Sequence, residues 1–315
     1  MPRPLRFIPE GGALVEVTTR CIQSRFLLTP GPLLNEIILG VLARAARLYG
    51  VGVVAFCFVS GHYHLLVRAS DAEALAQFAC YFNSNLAREI VRLTGWKDKV
   101  WARRYRAIPV SEEEGAQVER LVYVLSHGVK EGLVSRVVDW PGVHAARGLL
   151  DGRLLEGTWF NRTKEYGARL RGEEVTARSF AESEVLSLEP LPCWKHLSPE
   201  IYQKRIADLI QQIEAEAAAK REATGLEVIG REAILRQNPE TRPAKTKKSP
   251  APYFHAFTKR ARRELYEAYA WFVAAFREAA EKLKAGDRNA SFPTGSFPPH
   301  LPFVRDLPPN LAPTG

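Results

Sequence analysis

Residues 58–67 read FVSGHYHLLV and place His62 and His64 on either side of Tyr63 within an apolar run. Successive side chains of an extended strand point to opposite faces, so the two histidines share one face and Tyr63 lies on the other. Two imidazoles on one face can bind one divalent metal ion through neutral nitrogen lone pairs. Alternatively, both are half-buried strand histidines that hydrogen-bond to nearby backbone, and the tripeptide leaves both interpretations open.

The segments around this run predict a split βαβ arrangement. Hydrophobic patterning and turn residues predict β-strands and α-helices in alternation, over residues 13–19 (strand), 33–49 (helix), 53–59 (strand), 62–67 (strand), 71–93 (helix), 101–110 (strand) and 116–127 (helix). The order βαββαβ followed by a helix is typical of an α+β, ferredoxin-like antiparallel sheet with helices on one face. Such sheets carry many unrelated functions, so the fold alone names no activity.

The second half of the sequence changes character. Ser198 and Pro199 have the residue types of a helix N-cap and first helical position, and a long amphipathic helix is predicted over residues 258–284. Residues 237–252 form a polar loop that is rich in lysine and proline. Residues 286–315 are proline-rich without helical period, which predicts an extended tail.

The composition of the chain indicates which kinds of binding partner and cellular setting to expect. The chain has 315 residues, enough for about two domains, and a formal net charge of +9. Such a charge favours a polyanionic partner, with nucleic acid first and an anionic membrane surface second. The four cysteines form no CxxC pair, so neither a zinc knuckle nor a disulfide framework is indicated. No apolar run approaches about 18 residues, and we expect a soluble protein in a reducing cytoplasm.

A candidate nucleophile lies in LVYVLSHGVKEGLV, residues 121–134, where Tyr123 and His127 are four apart and share a helical face. If this helix packs beside the histidine strand, His127 can be a third metal ligand. The Tyr123 phenol can then attack a phosphodiester and form a phosphotyrosine. Alternatively, Tyr123 is a core or interface aromatic and His127 is favoured by the helix dipole. Tyr81 and Tyr105 are other tyrosines, but neither has such a helical partner.

The segment KDKVWARRYR, residues 97–106, interleaves cationic and aromatic side chains. Cations contact phosphates and aromatic rings stack on unpaired bases, so the pattern predicts a surface for single-stranded nucleic acid. The alternative is a solvated edge strand with a buried tryptophan. The predicted contact residues are Lys97, Lys99, Trp101, Arg103, Arg104, Tyr105 and Arg106, extended by Arg20 and Arg25.

These motifs together resemble a known family. The HYH strand is preceded by VTTRCIQSRFLL (17–28) and followed by VWARRYRAIPV (100–110) and YVLSHGVKEGLV (123–134). The set resembles the IS200/IS605-like single-tyrosine transposases, in the branch associated with repeated extragenic palindromes (REP), over residues 10–150. The resemblance implies a ferredoxin-like HUH nuclease domain in which His62 and His64 bind Mg²⁺ or Mn²⁺. Tyr123 would attack single-stranded DNA, leaving a 5′-phosphotyrosine and a free 3′-hydroxyl.

The resemblance also implies a homodimer that recognises DNA hairpins, in a bacterial, nucleoid-associated setting without a small-molecule cofactor. The expected organisation is an HUH domain over residues 1–155, a helical region over 156–285 and a proline-rich tail over 286–315.

One departure matters: the fourth position after the tyrosine is usually asparagine in this branch, often followed by proline, and here it is His127-Gly128. Histidine can still bind a metal. A catalytically inactive hairpin-binding regulator, and an RNA-binding module on a similar sheet, stay open as alternatives.

Overall fold

A four-stranded antiparallel sheet organises the chain, whose computed structural model describes residues 5–243 and 252–299. The strands lie in the order β2-β3-β1-β4, and they are β1 (Ala13–Arg20), β2 (Gly52–Val59), β3 (His62–Ala69) and β4 (Arg106–Val110). Helix α1 (Pro32–Tyr49) connects β1 to β2, and α2 (Ala72–Thr94) connects β3 to β4. This topology confirms the predicted ferredoxin-like fold.

The two faces of the sheet carry different helices. Phe82 of α2 packs on Tyr63 of β3, with 5.5 Å between the ring centroids, and α1 packs against α2 through Tyr49 and Tyr81. Helix α3 (Glu114–Leu125) lies on the opposite face, where the Tyr123 ring is 5.3 Å from the ring of His64. The alternation of β3 therefore separates a packing face from a histidine face.

The fourth strand is shorter than predicted. A strand was expected over residues 101–110, but Trp101 makes only an isolated bridge with Cys21, and residues 102–105 bend before β4 begins at Arg106. Helix α3 ends at Leu125, two residues before the predicted end. Gly128 then takes a φ of +92°, which ends the helical path and leaves His127 in the following turn.

The C-terminal part contains both helices and a two-stranded antiparallel sheet. The elements are α4 (Ala146–Asp151), β5 (Leu155–Phe160), α5 (Arg162–Leu170), β6 (Ala181–Leu186), α6 (Pro199–Thr224), α7 (Arg231–Leu235) and α8 (Lys259–Lys284). The sheet of β5 and β6, which α5 connects, was not predicted from the sequence. It lies on α1 through a contact of Gly157 with Gly40, where a Cβ on Gly157 would stand 2.1 Å from the Gly40 nitrogen.

Short segments pair with both edges of the main sheet. Along β2, the Phe58 N–H donates to Val143 and the Ala145 N–H donates to the carbonyl of Phe56, each at 2.9 Å. Along β4, the His255 N–H donates to the carbonyl of Pro109 at 2.9 Å. Because backbone groups on each edge already have partners, neither edge is a free template for an added strand.

Two predicted segments extend beyond the described residues. Residues 286–299 carry no helix or strand, in line with the predicted extended tail, whereas residues 300–315 lie outside the described part. Residues 244–251 of the predicted polar loop also lie outside it. Within residues 5–243 and 252–299, every helix is too short or too polar to span a membrane.

Candidate active site

Three histidines converge on the face of the sheet that carries α3. His62 and His64 come from β3 and His127 from the turn after α3, and their candidate ligand atoms all lie within 4.8 Å of one another. The ring centroids of His64 and His127 are 4.3 Å apart, and that of His62 is 5.1 Å from His64. The structure therefore brings together the three residues that the sequence predicted as metal ligands.

Hydrogen bonds fix the orientation of two of these rings. Nδ1 of His64 donates to Oε1 of Glu16 at 2.8 Å, and Nδ1 of His127 donates to the backbone carbonyl of Tyr123 at 2.8 Å. A proton held on Nδ1 leaves the Nε2 lone pair free in a neutral imidazole. Metal-binding histidines are commonly held in this way by a carboxylate or a carbonyl.

The donor set fits a divalent transition metal. Burial lowers the pKa of His62, and the neighbouring His64 lowers it further. Burial also lowers the pKa of His127, with a further contribution from His64. Both rings are therefore neutral at pH 7 and able to bind a cation. Imidazole nitrogens suit Mn²⁺ better than Mg²⁺, which prefers oxygen ligands.

Tyr123 lies beside this cluster. Its ring centroid is 4.8 Å from that of His127, one helical turn further along the chain. Burial raises the pKa of the Tyr123 phenol, and the Glu16 charge raises it further, whereas Arg120 lowers it. The phenol is thus protonated at neutral pH in this state, and its use as a nucleophile needs added positive charge nearby.

Two cations that the sequence analysis did not select contact the Tyr123 ring. Nζ of Lys130 lies 3.7 Å from the ring centroid, and the Arg120 guanidinium lies 4.8 Å from it. Such cation–π contacts place positive charge against the aromatic face. Arg120 precedes Tyr123 by three positions, so helical spacing could have revealed it.

Glu16 is a second residue that the sequence analysis missed. Its side chain is buried in β1, and its Oε2 lies 2.7 Å from Nε2 of His255. Burial alone would raise the pKa of Glu16, but contacts with His255 and His64 outweigh burial and hold this pKa well below its ordinary value. Glu16 could have been identified from the sequence, because it is a lone acidic residue inside the apolar strand ALVEVTT. No residue near His255 in the sequence indicated a role for His255.

Two of the predicted DNA-binding residues share the face of the histidine cluster. Arg20 pairs with His62 across β1 and β3, and Arg106 pairs with Thr18, which in turn pairs with His64. Directly paired residues lie on the same face of a sheet. Both arginines are exposed, so they add positive charge at the mouth of the cluster.

The remaining predicted contact residues divide into two groups. The cations Lys97, Lys99, Arg103 and Arg104 are exposed between α2 and β4. Trp101 instead packs against Tyr63 on the opposite face, and its indole N–H donates to the carbonyl of Asn83 at 2.9 Å. Tyr105 is partly buried beneath the Arg6 guanidinium, which lies 5.1 Å from its ring centroid.

Arg25 is held in place by its neighbours. Its guanidinium lies 4.9 Å from the ring centroid of Trp96 and donates to the carbonyl of Glu240. Trp96 is a further aromatic residue beside the predicted basic surface that the sequence analysis did not select. It is partly buried, and it stands next to the exposed Lys97.

One known protein family matches the N-terminal part of the chain. Residues 17–124 match the family described as "Transposase IS200 like". The matched range contains His62, His64 and Tyr123, and it ends before His127. Over this range the chain is similar to IS200-like transposases. The match confirms the resemblance to IS200-like transposases that the sequence motifs indicated.

Comparison with solved structures gives two distant likenesses. One is a REP-associated tyrosine transposase bound to a REP hairpin, with 16% identity, 48% of this chain and 86% of that chain covered, and a TM-score of 0.38. The other is a Deinococcus radiodurans R1 protein described provisionally as a transposase, with 17% identity, 39% and 96% covered, and a TM-score of 0.28. A search of the curated proteins gives no match.

Proposed function

We propose that this protein is a metal-dependent DNA strand transferase that nicks and rejoins single-stranded DNA through Tyr123. The observation that carries the proposal is the position of Tyr123, whose ring lies 5.3 Å from that of His64 and 4.8 Å from that of His127. A potential nucleophile and three potential metal ligands thus occupy one side of one sheet. The family match over residues 17–124 supports transposition as the context.

In the proposed reaction, the Tyr123 oxygen attacks the scissile phosphorus. A bond forms between this oxygen and phosphorus, the bond from phosphorus to the 3′-oxygen breaks, and the phenol proton is balanced by the proton that the departing 3′-hydroxyl gains. The 5′-phosphotyrosine conserves the energy of the phosphodiester, so a second 3′-hydroxyl can reverse the step without a nucleotide cofactor. Arg120 and Lys130 favour the phenolate because their charges lie against its ring.

The proposed ligands of the metal are His62, His64 and His127. A divalent ion bound there supplies a positive charge that polarises a phosphate oxygen. Mn²⁺ is the ion that three imidazole nitrogens favour over Mg²⁺. Glu16 and the Tyr123 carbonyl hold two of these rings with Nε2 directed away from their hydrogen-bond partners.

The proposed DNA partner is a single strand that carries a hairpin. Arg20 and Arg106 would contact phosphates near the cleavage point, and the exposed cations between α2 and β4 would follow the backbone further. The predicted stacking of bases on Trp101 and Tyr105 stays a proposal. It would require these rings to leave their packing positions, so we assign most of the affinity to the cations.

The assembly, location and domain division are also proposals. We propose a cytoplasmic, nucleoid-associated homodimer with an HUH domain over residues 1–155, a C-terminal region over 156–285 and a tail over 286–315. Since both edges of the main sheet are paired, a homodimer would use a helix or loop surface instead.

The alternative function is a hairpin-binding regulator without chemistry. Its motivation is His127 in place of the asparagine expected from the family resemblance. The His127 ring nevertheless stands 4.3 Å from that of His64 with its Nδ1 already hydrogen-bonded, which is the arrangement of a usable ligand. For this reason we favour the enzyme.

A nicking assay tests the proposal. The purified protein is incubated with 5′- and 3′-labelled single-stranded DNA that carries the hairpins flanking its own gene, with and without Mn²⁺. Wild type should cleave only with the metal, and Tyr123→Phe should not cleave. Tyr81→Phe, on the opposite face, is the matched control and should cleave normally. Tight hairpin binding without cleavage under any metal would favour the regulator.

A further inference from the structure

A segment from the C-terminal region, residues 252–258, lies against the edge of the main sheet. The His255 N–H donates to the carbonyl of Pro109 at 2.9 Å, and the Ser111 N–H donates to the carbonyl of His255 at 2.8 Å. Phe254 is buried, and its ring packs at 5.5 Å from Tyr266 and 5.8 Å from Tyr269 of α8. Backbone pairing and an aromatic cluster therefore fix the position of His255, which lies far outside the family-matched range.

In this position His255 contacts the carboxylate of Glu16, which also hydrogen-bonds to His64. Oε1 of Glu16 accepts from Nδ1 of His64 at 2.8 Å, and Oε2 of the same carboxylate lies 2.7 Å from Nε2 of His255. The side chain of Glu16 is only 4% exposed and that of His255 13% exposed. One buried carboxylate thus bridges a candidate metal ligand and a residue of the C-terminal region.

We propose that His255 is a positioning residue for the metal site, holding Glu16 in the orientation that fixes the ring and tautomer of His64. This inference rests on the proposed function, since it assigns His64 as a ligand. The C-terminal region then controls metal affinity although none of its described residues belongs to the histidine cluster. Through the contact of His255 with Glu16, residues 252–258 support the proposed metal site.

The local contacts support a specific role for His255. Arg120 also lies near Oε2 of Glu16, but at 3.7 Å it is beyond hydrogen-bond distance, and it contacts Glu119 at 2.6 Å. Without His255, Oε2 loses its nearest partner in a buried place, where a free carboxylate oxygen is costly. The Glu16 carboxylate can then rotate toward Arg120. This rotation breaks the hydrogen bond between Oε1 of Glu16 and Nδ1 of His64.

Cobalt binding provides a readout besides activity, because Co²⁺ bound by histidines absorbs visible light. The full-length protein is titrated with Co²⁺ as wild type, His255→Ala, His255→Gln and His196→Ala. Loss of an outer partner of a metal-binding histidine typically weakens affinity 10- to 100-fold. We expect a loss of about tenfold for His255→Ala, and recovery of most of it in His255→Gln, whose amide can donate to Oε2. The exposed His196 is the matched control and should bind as wild type.

Nitrogen NMR of the histidine rings tests the same role without metal. In wild type, His64 should carry its proton on Nδ1, and His255→Ala should convert it to a mixture of tautomers, while His196→Ala leaves it unchanged. An unchanged His64 tautomer together with unchanged Co²⁺ affinity in His255→Ala would overturn the inference. If His255→Ala does not fold, His255→Leu, which keeps the volume without a donor, takes its place.

The failure of the proposed function would look different. If wild type and His64→Ala took up Co²⁺ equally, or neither did, the assignment of His64 as a metal ligand would be wrong. The tautomer measurement would still decide whether His255 positions Glu16 and His64.

Discussion

Glu16 and His64, diagonal neighbours on adjacent strands β1 and β3, form a buried hydrogen bond of 2.8 Å between Oε1 and Nδ1. The register pairs His64 with Thr18, two positions from Glu16, so both side chains lie on the same face. The pairing of two central strands thus sets the orientation of a candidate metal ligand. A register shift of one residue between β1 and β3 would place the two side chains on opposite faces of the sheet.

Replacement of Glu16 tests this support directly. Glu16→Gln keeps the shape of the side chain but removes the charge that both His64 and His255 contact. We expect Mn²⁺ affinity to fall by about 10- to 100-fold, as for other outer partners of metal-binding histidines. Isothermal titration calorimetry measures the change. Glu119→Gln, at an exposed site on α3, is the matched control, and equal Mn²⁺ affinity in the two variants would contradict this role.

Replacement of His127 by asparagine tests the choice of metal. The change restores the residue type expected from the family resemblance and replaces a nitrogen ligand with an amide that offers oxygen. Because Mg²⁺ prefers oxygen ligands, we expect the ratio of Mg²⁺- to Mn²⁺-supported cleavage to rise several-fold. Initial rates with each metal give the ratio. A ratio identical to that of wild type would mean that His127 is not a ligand.

Positive charge at the mouth of the cluster should appear in the salt dependence of DNA binding. Arg106→Ala removes one exposed cation on the histidine face and should reduce the slope of log affinity against log salt by about 1. Fluorescence anisotropy with a hairpin oligonucleotide at several salt concentrations measures the slope. Arg263→Ala removes an exposed cation from α8 as a control. If both variants changed the slope equally, Arg106 would have no special place on the DNA path.

Glu113 makes the attachment of α8 dependent on pH. Its carboxylate accepts from Thr258, from the Ser111 hydroxyl and from the Phe257 N–H, and these contacts lower the pKa of Glu113 to about 2. A depressed pKa in the folded state contributes stability above the ordinary value of about 4.5, and this stability is lost as pH falls toward about 2. Glu113 is only partly buried, so solvent screening keeps the contribution small.

Thermal unfolding from pH 6 to pH 2.5 can detect this effect. Wild type should unfold at a higher temperature than Glu113→Gln near pH 6, and the difference should shrink as pH falls. Glu112→Gln, at the exposed neighbouring position, should follow wild type throughout. A constant difference between wild type and Glu113→Gln over the whole range would show that the carboxylate charge is not responsible.

Local patterns predicted that the three histidines and Tyr123 converge. The alternation of HYH placed His62 and His64 on one face, and the four-residue spacing of Tyr123 and His127 placed both toward those histidines. These predictions needed only the periods of a strand and a helix. The same logic explains why the order of strands and helices gave the correct sheet.

The features that the sequence did not predict depend on contacts between segments that are distant in the chain. Glu16 meets His255 only because residues 252–258 pair with β4, and no local period encodes that pairing. The sheet of β5 and β6 packs on α1 through the close contact of Gly157 with Gly40, which are more than a hundred positions apart in the sequence. Trp101 makes only an isolated bridge with Cys21 before the bend at residues 102–104, and its ring packs against Tyr63.

The central claim is that Tyr123 becomes covalently linked to DNA, and mass spectrometry of the trapped complex tests it most directly. Wild type, Tyr123→Phe and Tyr81→Phe are incubated with the hairpin strand and Mn²⁺, denatured and digested to peptides. The account predicts a 5′-phosphonucleotide on the peptide that contains Tyr123, in wild type and Tyr81→Phe but not in Tyr123→Phe. A nucleotide on another residue, or an adduct that persists in Tyr123→Phe, would contradict it.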